Sequence, residues 1–104
     1  MIFMVDVDGT LTTTPNDPWG RLRTDVLGVV RSWIARGDTV VLWSARGKVY
    51  CEEFARLHGL TPTLCIGKPD VIVDDKPSLR DNGQLEILAP ERVVEWNRNK
   101  EKRS

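Results

Sequence analysis

The sequence has almost no histidine, little cysteine and no excess of charge of either sign. It contains one histidine and two cysteines, Cys51 and Cys65, which are not in a metal-ligand spacing such as CxxC. A single cysteine pair does not make a disulfide framework, so we expect two reduced thiols. The 15 basic residues balance the 15 acidic residues, and no overall field therefore favours nucleic acid or a membrane surface.

Long apolar runs are also missing. The first ten residues, MIFMVDVDGT, are apolar but too short to span a bilayer, and acidic residues interrupt them. They lack the basic region and the cleavage site of a signal peptide, so we expect a cytoplasmic protein without a membrane partner. A chain of 104 residues with 40% hydrophobic and 29% charged residues fits one soluble domain with a modest core.

The order of apolar segments predicts alternating strands and helices. The predicted strands are short, and the first two are apolar and β-branched: Ile2–Val7, Thr39–Trp43, Thr63–Ile66, Val71–Val73 and, as a fifth, Gln84–Leu88. Three helices are expected: one capped by Thr24 and stopped by Gly37, one around Tyr50 that ends at Gly59, and one opened by Pro90. Such alternation predicts parallel β-α units in a three-layer α/β/α sandwich. The single domain should span residues 1–97, followed by a polar, mostly basic and frayed tail over 98–104.

Polar groups suited to one kind of chemistry flank the predicted strands. They are Asp6 and Asp8 after the first strand, Ser44 and Arg46 after the second, Lys68 before the fourth, and Asp74 and Asp75 after it. Ligands of open parallel sheets bind beyond the carboxyl ends of the strands. Four carboxylates gathered there would repel one another unless a cation joined them, and Mg²⁺ favours hard oxygen ligands. Lysine, arginine and a hydroxyl suit phosphate oxygens, so the pattern predicts a magnesium-assisted phosphoryl-transfer site.

The first of these groups resembles a family signature. Asp6-Val7-Asp8-Gly9-Thr10-Leu11 is similar to the DxDGT(L/V) motif of the haloacid dehalogenase (HAD) superfamily, in its phosphatase branch. Ser44 is similar to the second motif of that family, Lys68 to the third, and Asp74-Asp75 after an apolar run to the fourth, in the same order along the chain. The resemblance covers nearly the whole chain and implies a parallel, HAD-like Rossmannoid sheet.

The resemblance also implies roles. Asp6 would be the nucleophile that forms an aspartyl phosphate, and Asp8 would be the general acid and base. The phosphate-binding groups would be Gly9, Thr10, Ser44, the Ala45 N–H and Lys68. Arg46 has two open readings: it binds phosphate as well, or it is an ordinary surface arginine. Magnesium would contact Asp6, the Asp8 carbonyl and one of Asp74 and Asp75, with Asp75 favoured. Trp19, in the segment that forms a flap in this family, either stacks on substrate or packs locally.

Each motif also has an ordinary structural reading. Asp8-Gly9 is a common turn, Ser44 can cap the following helix, Lys68-Pro69 can be an exposed turn, and Asp74-Asp75 can cap a helix. The intervals between the motifs leave no room for an inserted cap domain, which predicts an open site.

Three functions therefore stay open. The first is a phosphatase acting on small phosphate monoesters. The second is an end-processing phosphatase acting on 3′-phosphates of nucleic acid, which Arg46 and the basic tail favour. The third is a non-enzymatic receiver-type module, which the early DxDGT motif and the position of the lysine disfavour. The expected partner is a phosphorylated small molecule or a nucleic-acid end, and the expected state is a monomer or a weak homodimer.

Overall fold

The computed structural model describes residues 1–13, 21–75 and 86–103. Their helices and strands, in chain order, are β1 (Ile2–Asp6), α1 (Thr24–Arg36), β2 (Thr39–Ser44), α2 (Lys48–Leu57), β3 (Leu64–Gly67), a short 3₁₀ turn (Pro90–Arg92) and α3 (Val93–Arg103). The described residues therefore form a small α/β domain. None of its helices is both long and apolar enough to cross a bilayer.

The three strands form one parallel sheet in the order β1-β2-β3. Asp6 lies beside Trp43, and the next residue of β2, Ser44, lies beside Gly67. The carboxyl ends of the strands consequently meet at one edge of the sheet. The sequence predicted these three strands and their parallel direction, and the structure confirms both.

One face of the sheet packs against α1 and α2. Phe3 of β1 stacks flat on Trp33 of α1, with ring centroids 3.7 Å apart. Residues paired in register on parallel strands point to the same face. The face of Phe3 therefore also carries Val5, Val40, Leu42 and Cys65, which are buried together with Val30 of α1 and with Cys51 and Phe54 of α2. This apolar layer is the core, and its burial is the main favourable term for folding.

The other face of the sheet carries more exposed side chains. Ile2 is 76% exposed, Met4 50% and Leu64 49%. No helix of residues 1–13, 21–75 and 86–103 packs on this face, since α3 lies against α1. The described part of the chain thus has two layers, and the predicted third layer is not seen in it.

Helix α3 extends through most of the predicted tail. The Trp33 Nε1–H donates to Asn97 Oδ1 at 2.8 Å, and the Asn97 side chain is buried. Trp96 meets the rings of Phe3 and Trp33 edge-on, at centroid distances of 6.0 and 6.3 Å. Residues 98–103 continue the same helix instead of fraying after it. The start of the helix is thus anchored by the contact of Asn97 with α1 and by the packing of Trp96 against the rings of α1 and β1.

The predicted fourth strand, Val71–Val73, is wrong. These residues are not in a strand, and their side chains are 75%, 60% and 94% exposed. Only the three residues 68–70 follow β3 before Val71. A further parallel strand requires a crossover of roughly a dozen residues or more to return to the other edge of the sheet. The short apolar run could not supply that connection.

Two smaller expectations also differ from the structure. Of the predicted fifth strand, residues 84–85 lie outside the described residues, and residues 86–88 are not in a strand. Thr24 is the first residue of α1 and does not cap it; Arg23 occupies the cap position, without a side-chain hydrogen bond. The predicted stop at Gly37 is confirmed, because Gly37 has a φ of +93° and ends α1 in the left-handed conformation.

Both cysteines are free and buried, as expected for structural thiols. The Cys51 thiol donates to the carbonyl of Ile66 at 3.6 Å. Burial raises the pKa of Cys51 to about 11, and burial also raises the pKa of Cys65. Neither thiol is therefore activated as a nucleophile.

Candidate active site

The turn that follows β1 is tightly hydrogen-bonded. The carbonyl of Val7 accepts the N–H groups of Thr10, Leu11 and Thr12 at 3.3, 2.9 and 3.2 Å. Gly9 has a φ of +82°, which a side chain would strain, and its N–H donates to Thr12 Oγ1 at 3.0 Å. The DGT part of the motif thus builds a fixed turn, which holds the two carboxylates on either side of Val7.

The chain leaves this turn as an antiparallel pair of segments. The Thr13 N–H donates to the carbonyl of Arg21 at 2.7 Å, and the Arg23 N–H donates to the carbonyl of Leu11 at 2.8 Å. These bonds join the two ends of the segment that contains Trp19. Trp19 lies outside the described residues.

Ser44 connects the loops that carry the two candidate cations. Its Oγ accepts the Arg46 N–H at 3.0 Å, and its carbonyl accepts the N–H groups of Gly47 and Lys68 at 3.1 and 3.0 Å. The side chain is only 2% exposed. Ser44 thus braces the turn before α2 but does not cap the helix, because Gly47 occupies the cap position without a side-chain hydrogen bond. Its ordinary reading as a helix cap is wrong. Its hydroxyl hydrogen is not used by the Arg46 contact, since the oxygen accepts there.

The predicted nucleophile is paired with the predicted lysine. Lys68 Nζ lies 3.1 Å from Asp6 Oδ1, and the Thr10 hydroxyl donates to Asp6 Oδ2 at 3.3 Å. The ammonium group also lies over the ring of Trp43, 5.5 Å from its centroid. The two charged side chains are 27% and 41% exposed. The pair is thus open to solvent and to a ligand at the carboxyl edge of the sheet.

Asp8 is held by two donors. Arg46 Nε lies 3.0 Å from Asp8 Oδ2, and the Tyr50 hydroxyl donates to Asp8 Oδ1. The Asp8 side chain is 13% exposed. Burial raises the pKa of Tyr50, and its hydrogen bond to the Asp8 carboxylate raises that pKa further. Arg46, for which two readings were open, thus belongs to the candidate site.

Tyr50 is the residue that sequence reasoning missed. The sequence showed it only as an apolar mark on a predicted helix. Spacing in the sequence gave no signal for it, because Arg46 lies outside α2, before Gly47, whose φ of +100° is not helical. No motif of the family resemblance includes it.

The acidic pair Asp74-Asp75 does not join the other carboxylates. Both residues are exposed, in a segment without strand structure. Among residues 1–13, 21–75 and 86–103, no three histidine, cysteine, aspartate or glutamate side chains are close enough together to hold a metal ion. Asp6 and Asp8 each face a cationic side chain instead. The described arrangement does not fit the magnesium site that the sequence predicted.

The side chains that do meet have a definite chemical capacity. A carboxylate with an adjacent ammonium group can attack an electrophile whose charge the ammonium offsets. A second carboxyl group, two residues along the chain, can donate or accept a proton. Two cations at one open edge suit an anionic substrate.

Comparison of the chain with protein-family models, with curated proteins and with solved structures gave no match. The family resemblance consequently rests on the four short motifs in the sequence.

Proposed function

We propose that the protein is a HAD-type phosphatase that hydrolyses a phosphate monoester through an aspartyl phosphate on Asp6. The observation that carries the proposal is the pairing of Asp6 with Lys68, at 3.1 Å, beside an Asp8 that is fixed separately. A turn without chemical function does not require two carboxylates, each with its own cation, at the carboxyl edge of a parallel sheet.

In the first step a carboxylate oxygen of Asp6 attacks phosphorus and the ester P–O bond breaks. The electron pair of that bond goes to the leaving oxygen, and Asp8 supplies the proton. Lys68 offsets the charge shared by Asp6 and the transferring group. The hydroxyl of Thr10, which donates to Asp6 Oδ2, keeps the carboxylate turned toward the edge of the sheet.

In the second step water attacks the aspartyl phosphate. Asp8, now ionised, takes the proton of the water, the acyl phosphate bond breaks, and inorganic phosphate and free Asp6 result. The phosphoryl oxygens are proposed to bind Arg46, the Ala45 N–H and the hydroxyl of Ser44. Arg46 would leave Asp8 for the phosphate when substrate is bound, since a guanidinium group matches phosphate geometry.

Magnesium remains the proposed cofactor on chemical grounds only. Bound Mg²⁺ would neutralise phosphate oxygens, and its proposed ligands are Asp6, the Asp8 carbonyl and either Asp75 or Asp74. The described positions of that acidic pair do not supply this ligand set, so residues 71–75 would have to rearrange. The steps above are therefore assigned to side chains alone.

Small phosphate esters are favoured over nucleic-acid ends by the placement of α3. In the 3₁₀ turn before α3, Glu91 lies 3.5 Å from Arg23, the residue before α1, and Asn97 of α3 contacts Trp33 farther along α1. The two helices thus run in the same direction, toward the amino edge of the sheet, where Met1 pairs with Asp38. Helix α3 consequently leads away from the candidate site, and its basic residues Arg98 and Lys100 lie farther from that site than Asn97 does.

The proposal is tested with purified protein and an aryl phosphate in magnesium buffer. Asp6→Asn should abolish release of inorganic phosphate, because an amide is a far poorer nucleophile. Asp70→Asn is the matched control at an exposed position near Lys68, and it should keep wild-type turnover. Turnover by Asp6→Asn equal to that of the control would overturn the proposal, as would a folded wild-type protein without any activity on a broad panel of phosphate esters.

A further inference from the structure

Two contacts from one helix start determine how Asp8 is oriented. The Tyr50 hydroxyl donates to Oδ1, and Arg46 Nε donates to Oδ2 at 3.0 Å. The carboxylate of an aspartate rotates easily about its terminal torsion angle when nothing holds its oxygens. With a donor at each oxygen, the Asp8 carboxylate cannot turn without breaking a charge-assisted hydrogen bond.

Tyr50 is itself well held. It lies in the first turn of α2, which begins directly after Gly47, and Gly47 has a φ of +100°. The Arg46 guanidinium lies over the Tyr50 ring, 5.6 Å from its centroid. The position of Tyr50 in the first turn of the helix thus holds the phenol oxygen at Asp8.

The two contacts differ in what substrate would do to them. Arg46 is 40% exposed and can turn toward an incoming anion, whereas Tyr50 carries no charge and has no such attraction. Once Arg46 engages phosphate, the bond from Tyr50 is the one that remains on Asp8. It occupies Oδ1 and leaves Oδ2 as the oxygen that can carry the transferable proton.

We propose that Tyr50 is a positioning residue for the acid–base step, an inference that rests on the proposed function. Its hydroxyl keeps Oδ2 of Asp8 aimed at the leaving oxygen. In step one the Oδ2–H bond breaks and its proton joins the leaving oxygen; in step two Oδ2 takes a proton from water. Tyr50 itself transfers no proton and does not touch the substrate.

The test is Tyr50→Phe, which removes one oxygen atom and keeps the ring beneath Arg46. An alkyl phosphate needs a proton on its leaving oxygen, whereas p-nitrophenyl phosphate hardly does. We expect kcat/KM on the alkyl ester, which reports phosphoryl transfer to Asp6 and not the second step, to fall about tenfold, since small misplacements of a catalytic group cost that much or more. The aryl ester should lose less than about twofold in kcat/KM, since its leaving group departs without protonation, whereas the second step, common to both esters, affects only kcat. Glu53→Gln, an exposed change on α2, is the matched control and should leave both rates unchanged.

A double-mutant comparison separates positioning from general structural damage. In an Asp8→Asn background, Tyr50→Phe should cause no further loss on either ester. Equal losses on both esters, or an undiminished loss in the Asp8→Asn background, would overturn the inference. If Tyr50→Phe keeps the rates of the wild-type protein, only the role of Tyr50 is overturned. If the wild-type protein itself is inactive, the proposed function is overturned as well.

Discussion

Lys68→Met separates the contribution of Lys68 to catalysis from its contribution to folding. Lys68 Nζ lies 3.1 Å from Asp6 Oδ1, so the charge is placed where the transferring phosphoryl group would meet the nucleophile. Methionine keeps an apolar stem over Trp43 and removes only the ammonium group. Loss of one electrostatic contact to a transition state costs roughly 10²–10³-fold in kcat, or about 2.7–4 kcal/mol.

The same change should hardly affect the fold. The two partners are 41% and 27% exposed, and solvent screens such pairs to about 1 kcal/mol or less of the free energy of unfolding. For a domain of this length that is a shift in Tm of no more than about 4–8 °C. Steady-state kinetics on an aryl phosphate and a thermal melt of the same samples give both numbers. A kcat within threefold of wild type, which is about 0.7 kcal/mol, would refute the assigned role.

Four further results are expected. Asn97→Ala should lower the free energy of unfolding by about 1–3 kcal/mol, because it leaves the buried Trp33 N–H without its acceptor; urea unfolding measures this, and an unchanged midpoint would contradict the packing of α3. Val73→Ser should change stability by less than about 0.5 kcal/mol, since Val73 is 94% exposed; a loss of several kcal/mol would indicate a buried strand instead. Cys51, with a pKa of about 11, should react with a thiol reagent at pH 8 only on unfolding, and fast labelling of native protein would contradict its burial. Exhaustive chelation should abolish phosphatase activity and Mg²⁺ should restore it where Ca²⁺ does not; undiminished activity would remove magnesium from the account.

The local pattern of the sequence predicted the core of the fold. The first three predicted strands became β1, β2 and β3. Gly37 ends α1 in the left-handed conformation, as its position in the sequence predicted. The strand predicted at Val71–Val73 was wrong because a short apolar run does not by itself show whether the chain can reach a place in the sheet. The length of the preceding connection, only three residues, was the decisive constraint, and it argues against a parallel strand.

The candidate site was predictable where residues are close in sequence to a strand end. Asp6 ends β1 and Lys68 directly follows β3, the two strands on either side of β2, so topology alone brings them to the same edge of the sheet. The contact of Tyr50 with Asp8 depends on how α2 starts after Gly47, which residue types do not reveal. The sequence likewise assigned no partner to Asn97, because only the position of Trp33 in the folded chain gives that asparagine a buried partner.

The central claim is that Asp6 carries the phosphoryl group during turnover. The direct measurement is to mix the protein with an aryl phosphate, quench with borohydride and map the products by peptide mass spectrometry. Borohydride reduces an acyl phosphate to an alcohol, so the account predicts that Asp6 is converted to homoserine only when substrate is present, and that Asp8 is not. Turnover of substrate without modification of Asp6, or with conversion at another carboxylate, would contradict it.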